Sequence, residues 1–134
     1  MADQAPWTET QIIESTATVV TVVELFANPT RIPEWAPAFA DRVSGDVRSG
    51  WEATKDGRNF PLRVAVDRGS GTVDYLRHVT PDREGGAYIR GVPRPGDGSV
   101  ITMTLPLLAD VDAADTSGTL ARELTPLVSL VEST

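Results

Sequence analysis

Phe26-Ala27-Asn28-Pro29-Thr30-Arg31-Ile32-Pro33-Glu34-Trp35-Ala36-Pro37-Ala38-Phe39 is the stretch on which the fold turns. It stops the apolar run before it and sets an indole between two prolines. Asn28-Pro29 ends that run, because a residue preceding proline is pushed out of helical geometry. Residues 30–35 have room for one or two helical turns, with Pro33 tolerable only near their start. The stretch therefore reads as a helix, a sharp corner and a second helical turn that hangs Trp35 beneath whatever sheet follows.

Upstream, Val19, Val20, Val22, Val23, Leu25 and Phe26 are ambiguous, since β-branched residues favour strands while the spacing 19, 22, 23, 26 makes one helical face. Helix is preferred. Residues 7–15 alternate as a strand does and end in a Ser-Thr pair suited to a cap, and a second strand would run straight on from them with no turn chemistry between. Downstream, residues 39–43 begin a second strand. Residues 51–54 and 60–66 then flank Lys55-Asp56-Gly57-Arg58-Asn59, whose Asp-Gly pair favours the positive φ angles of a tight hairpin. Turns at 67–71, 81–86 and 93–98 separate further strands at 72–79, 87–92 and 100–105. After Pro106 the period changes. Leu120, Leu124, Leu127, Val128 and Val131 share one face of an amphipathic helix, Asp115-Thr116-Ser117 supplies cap residues, and Pro126 should bend or interrupt it. The expectation is one α+β domain spanning 1–134.

Composition narrows the function classes. The 134 residues are 40% hydrophobic and 23% charged, as in ordinary globular proteins. Twelve Lys and Arg against nineteen Asp and Glu give a net charge of -7, which repels nucleic acid and anionic membrane surfaces. Cysteine is absent, which excludes a disulfide framework, a thiolate metal site and a cysteine nucleophile. The first residues lack the pattern of a signal peptide, and no apolar run reaches the length of a membrane span, so a cytoplasmic protein is expected. Neither a dinucleotide fingerprint nor a metal-binding cluster is present, so no cofactor and no metal are expected.

The order of elements, with 23–29, 33–37, 71–75, 98–105 and 120–124 as the matching segments, resembles the helix-grip superfamily of START domains, polyketide cyclase/dehydrases and birch-pollen-allergen-like proteins (SRPBCC). The likeness covers nearly the whole chain. It implies a curved antiparallel sheet of about six to seven strands around a C-terminal helix, two short helices after the first strand, and an apolar cavity for a hydrophobic or polyketide-type small molecule. Members of this superfamily include cyclases, dehydratases, carriers and pure binding proteins, so the resemblance implies a pocket rather than a reaction.

Alternation assigns the strand faces. Phe60, Leu62, Val64 and Val66 form an inward set, as do Val73, Tyr75, Arg77 and Val79, and Ile101, Met103 and Leu105. The faces of Ala87, Ile89 and Gly91 against Tyr88, Arg90 and Val92 stay open. An inward Arg77 needs a partner such as Glu34 or a ligand oxygen. Tyr75 and Arg77 are accordingly the catalytic candidates, polarising carbonyl and enol oxygens in an aldol cyclisation or dehydration. The competing reading makes Tyr75 a core aromatic and Arg77 a solvated strand end. Trp35, Phe39, Phe60, Leu62, Ile89, Met103, Leu124 and Val128 are candidates for the ligand-binding wall, although cores use the same side chains. His78, the single histidine, is expected on the surface, and Trp51 at the surface or in an interface. Three functions compete: a cofactor-independent cyclase/dehydratase, a non-enzymatic carrier or sensor of a hydrophobic molecule, and an interaction module, with a homodimer as the implied partner.

Overall fold

The computed structural model describes residues 8–37, 39–80, 83–106, 127, 129, 130 and 132. The chain begins with strand β1 (Thr8–Ser15) and helix α1 (Val19–Ala27), followed by a 3-10 turn (Pro29–Arg31) and helix α2 (Ile32–Trp35). Six strands follow: β2 (Arg42–Asp46), β3 (Gly50–Lys55), β4 (Arg58–Asp67), β5 (Thr72–Thr80), β6 (Arg83–Pro93) and β7 (Ser99–Pro106). The ambiguous valines are helical because both ends of their segment are capped. Thr18 accepts from the Thr21 amide at 3.3 Å, and Asn28 returns its own amide to the Leu25 carbonyl while its side chain accepts from Thr30.

The strands form one antiparallel sheet in the order β1-β7-β6-β5-β4-β3-β2. β2 to β7 are a plain meander, whereas β1 lies at the far edge, so the helical segment has to cross one face of the sheet to join the two edges. α1 packs on β5 and β6, and the 3-10 turn reaches β2. β4 is shared unevenly. Its first half, Arg58 to Leu62, pairs with β3, and its second half, Arg63 to Asp67, pairs with β5. Pro61 lies in the half that β5 has left, where its missing N–H removes no bond to that strand.

Two boundaries differ from expectation. The second strand starts at Arg42 rather than Phe39, because the Phe39 and Ala40 amides turn back onto the Ala36 carbonyl. β6 starts at Arg83, so the expected turn at 81–86 is largely strand, with Gly85 and Gly86 opposite Arg77 and Leu76. A Cβ at Gly86 would lie 2.2 Å from the Tyr75 carbonyl oxygen, so this glycine marks close approach rather than a turn. The Asp56-Gly57 hairpin is as expected, with φ of 51° and 77°.

The core gathers where α1 and α2 meet the sheet. The Trp35 ring stands edge-on to Phe26 at 5.2 Å and stacks on Tyr75 at 6.3 Å. The Tyr75 hydroxyl donates to the Phe26 carbonyl at 2.5 Å, taking up a helix-end acceptor that would otherwise be buried without a partner. Residues 127, 129, 130 and 132 are helical. Leu127 is fully buried in the same core, and the Glu132 carboxylate accepts from the Ser15 hydroxyl and the Thr16 amide, both at 3.0 Å. Leu120, Leu124, Pro126, Val128 and Val131 lie outside the described residues. No helix among the described residues is long and apolar enough to cross a membrane.

Four substitutions test this packing. Gly57→Ala should cost roughly 1–2 kcal/mol, the price of a left-handed alanine with open space around it. Gly71→Ala should cost about 3–5 kcal/mol, because its φ is also positive and its Cβ would lie 2.3 Å from the Gly91 carbonyl oxygen. Denaturant unfolding of the pair gives the comparison. Tyr75→Phe, which orphans the Phe26 carbonyl, should lose about 1–3 kcal/mol by the same assay. The Thr16 amide and the Ser15 hydroxyl hold the Glu132 carboxyl below its ordinary 4.5. Its contribution is therefore present above 4.5 and fades as pH falls through the lower folded-state value. Glu132→Gln should lower Tm at neutral pH and flatten the acid side of the Tm profile, and an unchanged profile would show that the contact contributes nothing.

Candidate functional site

The parting of β3 and β5 along β4 leaves a cleft of about 970 Å³. Its apolar floor is built by strand alternation, which brings Leu62, Val64 and Val66 of β4 to one face. Leu62 is buried, and Val64, Val66 and Trp51 of β3 are half-buried. Trp51 stands opposite Leu62 in the β3–β4 ladder. The β2–β3 hairpin forms the rim. There Gly45 and Gly50 both have positive φ, and the Asp46 carboxylate accepts from the Ser49 amide at 2.6 Å and the Ser49 hydroxyl at 2.8 Å. Ala27, at the end of α1, closes another side, and Leu76, Arg77 and His78 of β5 line the remainder.

The charge of the lining is opposite to that of the chain. Arg63, Arg68, Arg77 and His78 line the cleft, with Glu52 the one acid among the described lining residues. The three arginines are held differently. Arg68 is gripped by Glu24 of α1 through contacts of 2.6 and 3.2 Å, and that hydrogen bonding holds the Glu24 carboxyl below its usual range. Arg63 lies near Asp74, whose carboxyl is pushed up by partial burial and drawn back in part by the Arg63 charge. Arg77 makes no ion pair or hydrogen bond with the described residues. Its guanidinium carbon sits 5.0 Å from the Phe60 ring centre and 5.7 Å from that of Phe39, and those rings meet edge-on at 5.8 Å. Glu34, the partner expected for Arg77, is instead bound by Arg31 at 3.0 and 3.1 Å.

The residues singled out from the sequence separate into three groups. Arg77 and Leu62 line the cleft, with Phe39 and Phe60 against the Arg77 guanidinium. Trp35, Tyr75, Ile89 and Met103 are closed into the core at 2–3% exposure. Leu124 and Val128 fall outside the described residues. Burial pushes the Tyr75 phenol well above its ordinary pKa, and its proton is committed to Phe26, so the hydroxyl arrives at the core already occupied. On β6 the open choice resolves with Ile89 inward and Tyr88 and Arg90 exposed. His78 is exposed, as expected, yet it borders the cleft. Trp51, expected at the surface or in an interface, is half-buried and faces the cleft.

Sequence reasoning missed Trp51, Arg63 and Arg68 as lining residues. Ser44-Gly45-Asp46 and Ser49-Gly50 carried the signal for the rim, since two glycines around a short polar run mark a hairpin. Arg63 and Arg68 carried none, because alternation and turn chemistry put both on the solvent side. Among the described residues no group of three or more His, Asp or Glu side chains could hold a metal ion.

No family model matches the chain, and no curated protein does. Solved structures do match it along nearly its whole length. A START superfamily protein from Mycobacterium smegmatis superposes with a TM-score of 0.67 at 14% identity, covering 94% of this chain and 97% of that one. The Aha1 dimer from Colwellia psychrerythraea gives 0.71 at 13% identity, covering 93% and 96%. DynU16, a protein of the dynemicin biosynthetic locus, gives 0.70 at 15% identity, covering 96% of this chain and 48% of its own. At such identities the shared property is architecture. The seven-stranded antiparallel sheet, crossed by two short helices, is a START-like α+β fold.

Proposed function

We propose that the protein binds a hydrophobic or amphipathic small molecule in the cleft along β4, and that the C-terminal helical residues complete the enclosure in helix-grip fashion. The observation that carries this reading is the apolar floor of Leu62, Val64, Val66 and Trp51 beneath a rim of polar and cationic groups. A cleft of about 970 Å³ is ample for a drug-sized or acyl-chain ligand. Carriage or sensing fits the geometry better than catalysis, because the Tyr75 proton is already given to Phe26, which leaves Arg77 and His78 as the groups free to act on a ligand.

A second reading, aldol cyclisation or dehydration of a polyketide-type substrate, draws support from the likeness to DynU16 and from the exposed Arg77 guanidinium, which is suited to stabilising an enolate oxygen. Under that reading Arg77→Ala abolishes turnover while the ligand still binds.

The common requirement is occupancy of the cleft. A neutral amphiphile such as dodecanol should bind saturably and change Trp51 fluorescence. At a hundred times its Kd it should raise Tm by roughly 10 °C, the equivalent of about 2.7 kcal/mol. Val64→Glu, which sets a charge in the floor, should abolish both signals. Unchanged binding in that variant would move the ligand elsewhere.

A further inference from the structure

The cleft has two ends that differ in charge. Leu62, Val64 and Val66 make an apolar row along β4, about 13 Å long at strand spacing. At the Val66 end stands Arg68, whose guanidinium is occupied by both oxygens of Glu24. At the Leu62 end stands Arg77, on the same face of the sheet as Tyr75 and Val64. Its charge is not matched by any carboxylate among the described residues. The rings of Phe39 and Phe60 fix it in place through cation–π contact, which uses none of its N–H donors. Arg77 is exposed, so a solute can reach it. A protein of net charge -7 that keeps an unmatched arginine at one end of an apolar row presents complementarity to a molecule with an apolar body and one anionic end.

Resting on the reading of the cleft as a ligand site, we infer that it selects a hydrophobic carboxylate, with the carboxylate on the Arg77 guanidinium and the apolar body along Leu62, Val64 and Val66 toward Arg68. The planar fork of arginine matches a carboxylate through two parallel N–H···O bonds, which a lysine cannot reproduce. Glu52 pairs with Pro61 and so stands at the same end as Arg77, but it is one strand position from Trp51 and projects from the opposite face of the sheet to Arg77. Arg68 offers no competing head-group site while Glu24 holds it.

The test measures dodecanoate, dodecanol and dodecylammonium on the full chain by calorimetry, at low salt and at a pH where the carboxylate is ionised. Dodecanoate should bind about tenfold or more tighter than dodecanol, and dodecylammonium weakest. Added salt should narrow the gap. Arg77→Gln should bring dodecanoate down to the affinity of dodecanol, and dodecanol binding by the variant also shows that it is folded. Arg77→Lys should retain only part of the preference, and Arg58→Gln, at an exposed residue outside the cleft, should retain all of it. Equal binding of dodecanoate and dodecanol by the wild type, or a preference that survives Arg77→Gln, overturns the inference and leaves the cleft as a ligand site. Absence of binding by all three overturns both.

Discussion

The structure depends on one buried arrangement, the Trp35 indole clamped between Phe26 and Tyr75 with the Tyr75 hydroxyl bound to the Phe26 carbonyl. Three consequences meet there. The end of α1 is tied to the middle of the sheet, the short α2 is held although four residues cannot make a stable helix alone, and a helix-end carbonyl is satisfied inside the core. Aromatic contacts supply area and direction, and the hydrogen bond supplies register. An apolar replacement for Tyr75 would fill the volume yet leave that acceptor without a partner.

Against this closed half of the molecule, the β2–β4 half is built to stay open. β4 changes its partner midway, from β3 to β5, and no strand of the described residues flanks it on both sides at any one level. The cleft is a direct result of that exchange. A sheet with full ladders on both edges of β4 would bring the β5 end of Arg77 and His78 against Pro61 and Leu62 and leave no gap there. The cleft and the incomplete ladder are thus the same feature seen from two sides. The molecule divides into a closed core that holds the architecture and a slotted region along β4.

Much of the architecture was legible in the sequence because its signals are local. Asn28-Pro29 fixes the end of α1, Asp56-Gly57 fixes a hairpin, and alternation in 60–66 puts Leu62, Val64 and Val66 on one face, whereas the cap of α1 is Thr18 and not the Ser-Thr pair at the end of β1. The site was less legible, because its groups are set by pairing rather than by pattern. That Glu34 chooses Arg31 over Arg77 follows from helical spacing of three residues, which could have been read. That Glu24 holds Arg68, 44 positions away, could not. Gly85 and Gly86 misled for the opposite reason. Paired glycines signal turns on average, whereas here the chain uses Gly86 where two backbones must touch. The core and wall candidates were chemically alike, so only the position of each strand relative to β4 could separate Met103 and Ile89 from Leu62.

The pairing of β1 with β7 carries a consequence for how the molecule is made. Thr10 and Thr104 touch across 94 positions of sequence, and Glu132 then fastens onto the end of the same first strand. β1 therefore waits for β7 before it finds its neighbour, while the meander from β2 to β7 can zip from one hairpin to the next. Non-local closure of this kind is slow relative to local pairing. During that interval the β7 edge is an unpaired template, open to a strand from another chain. The polar threonines at 102 and 104 on β7 make a mismatched apolar partner less welcome before the proper one arrives.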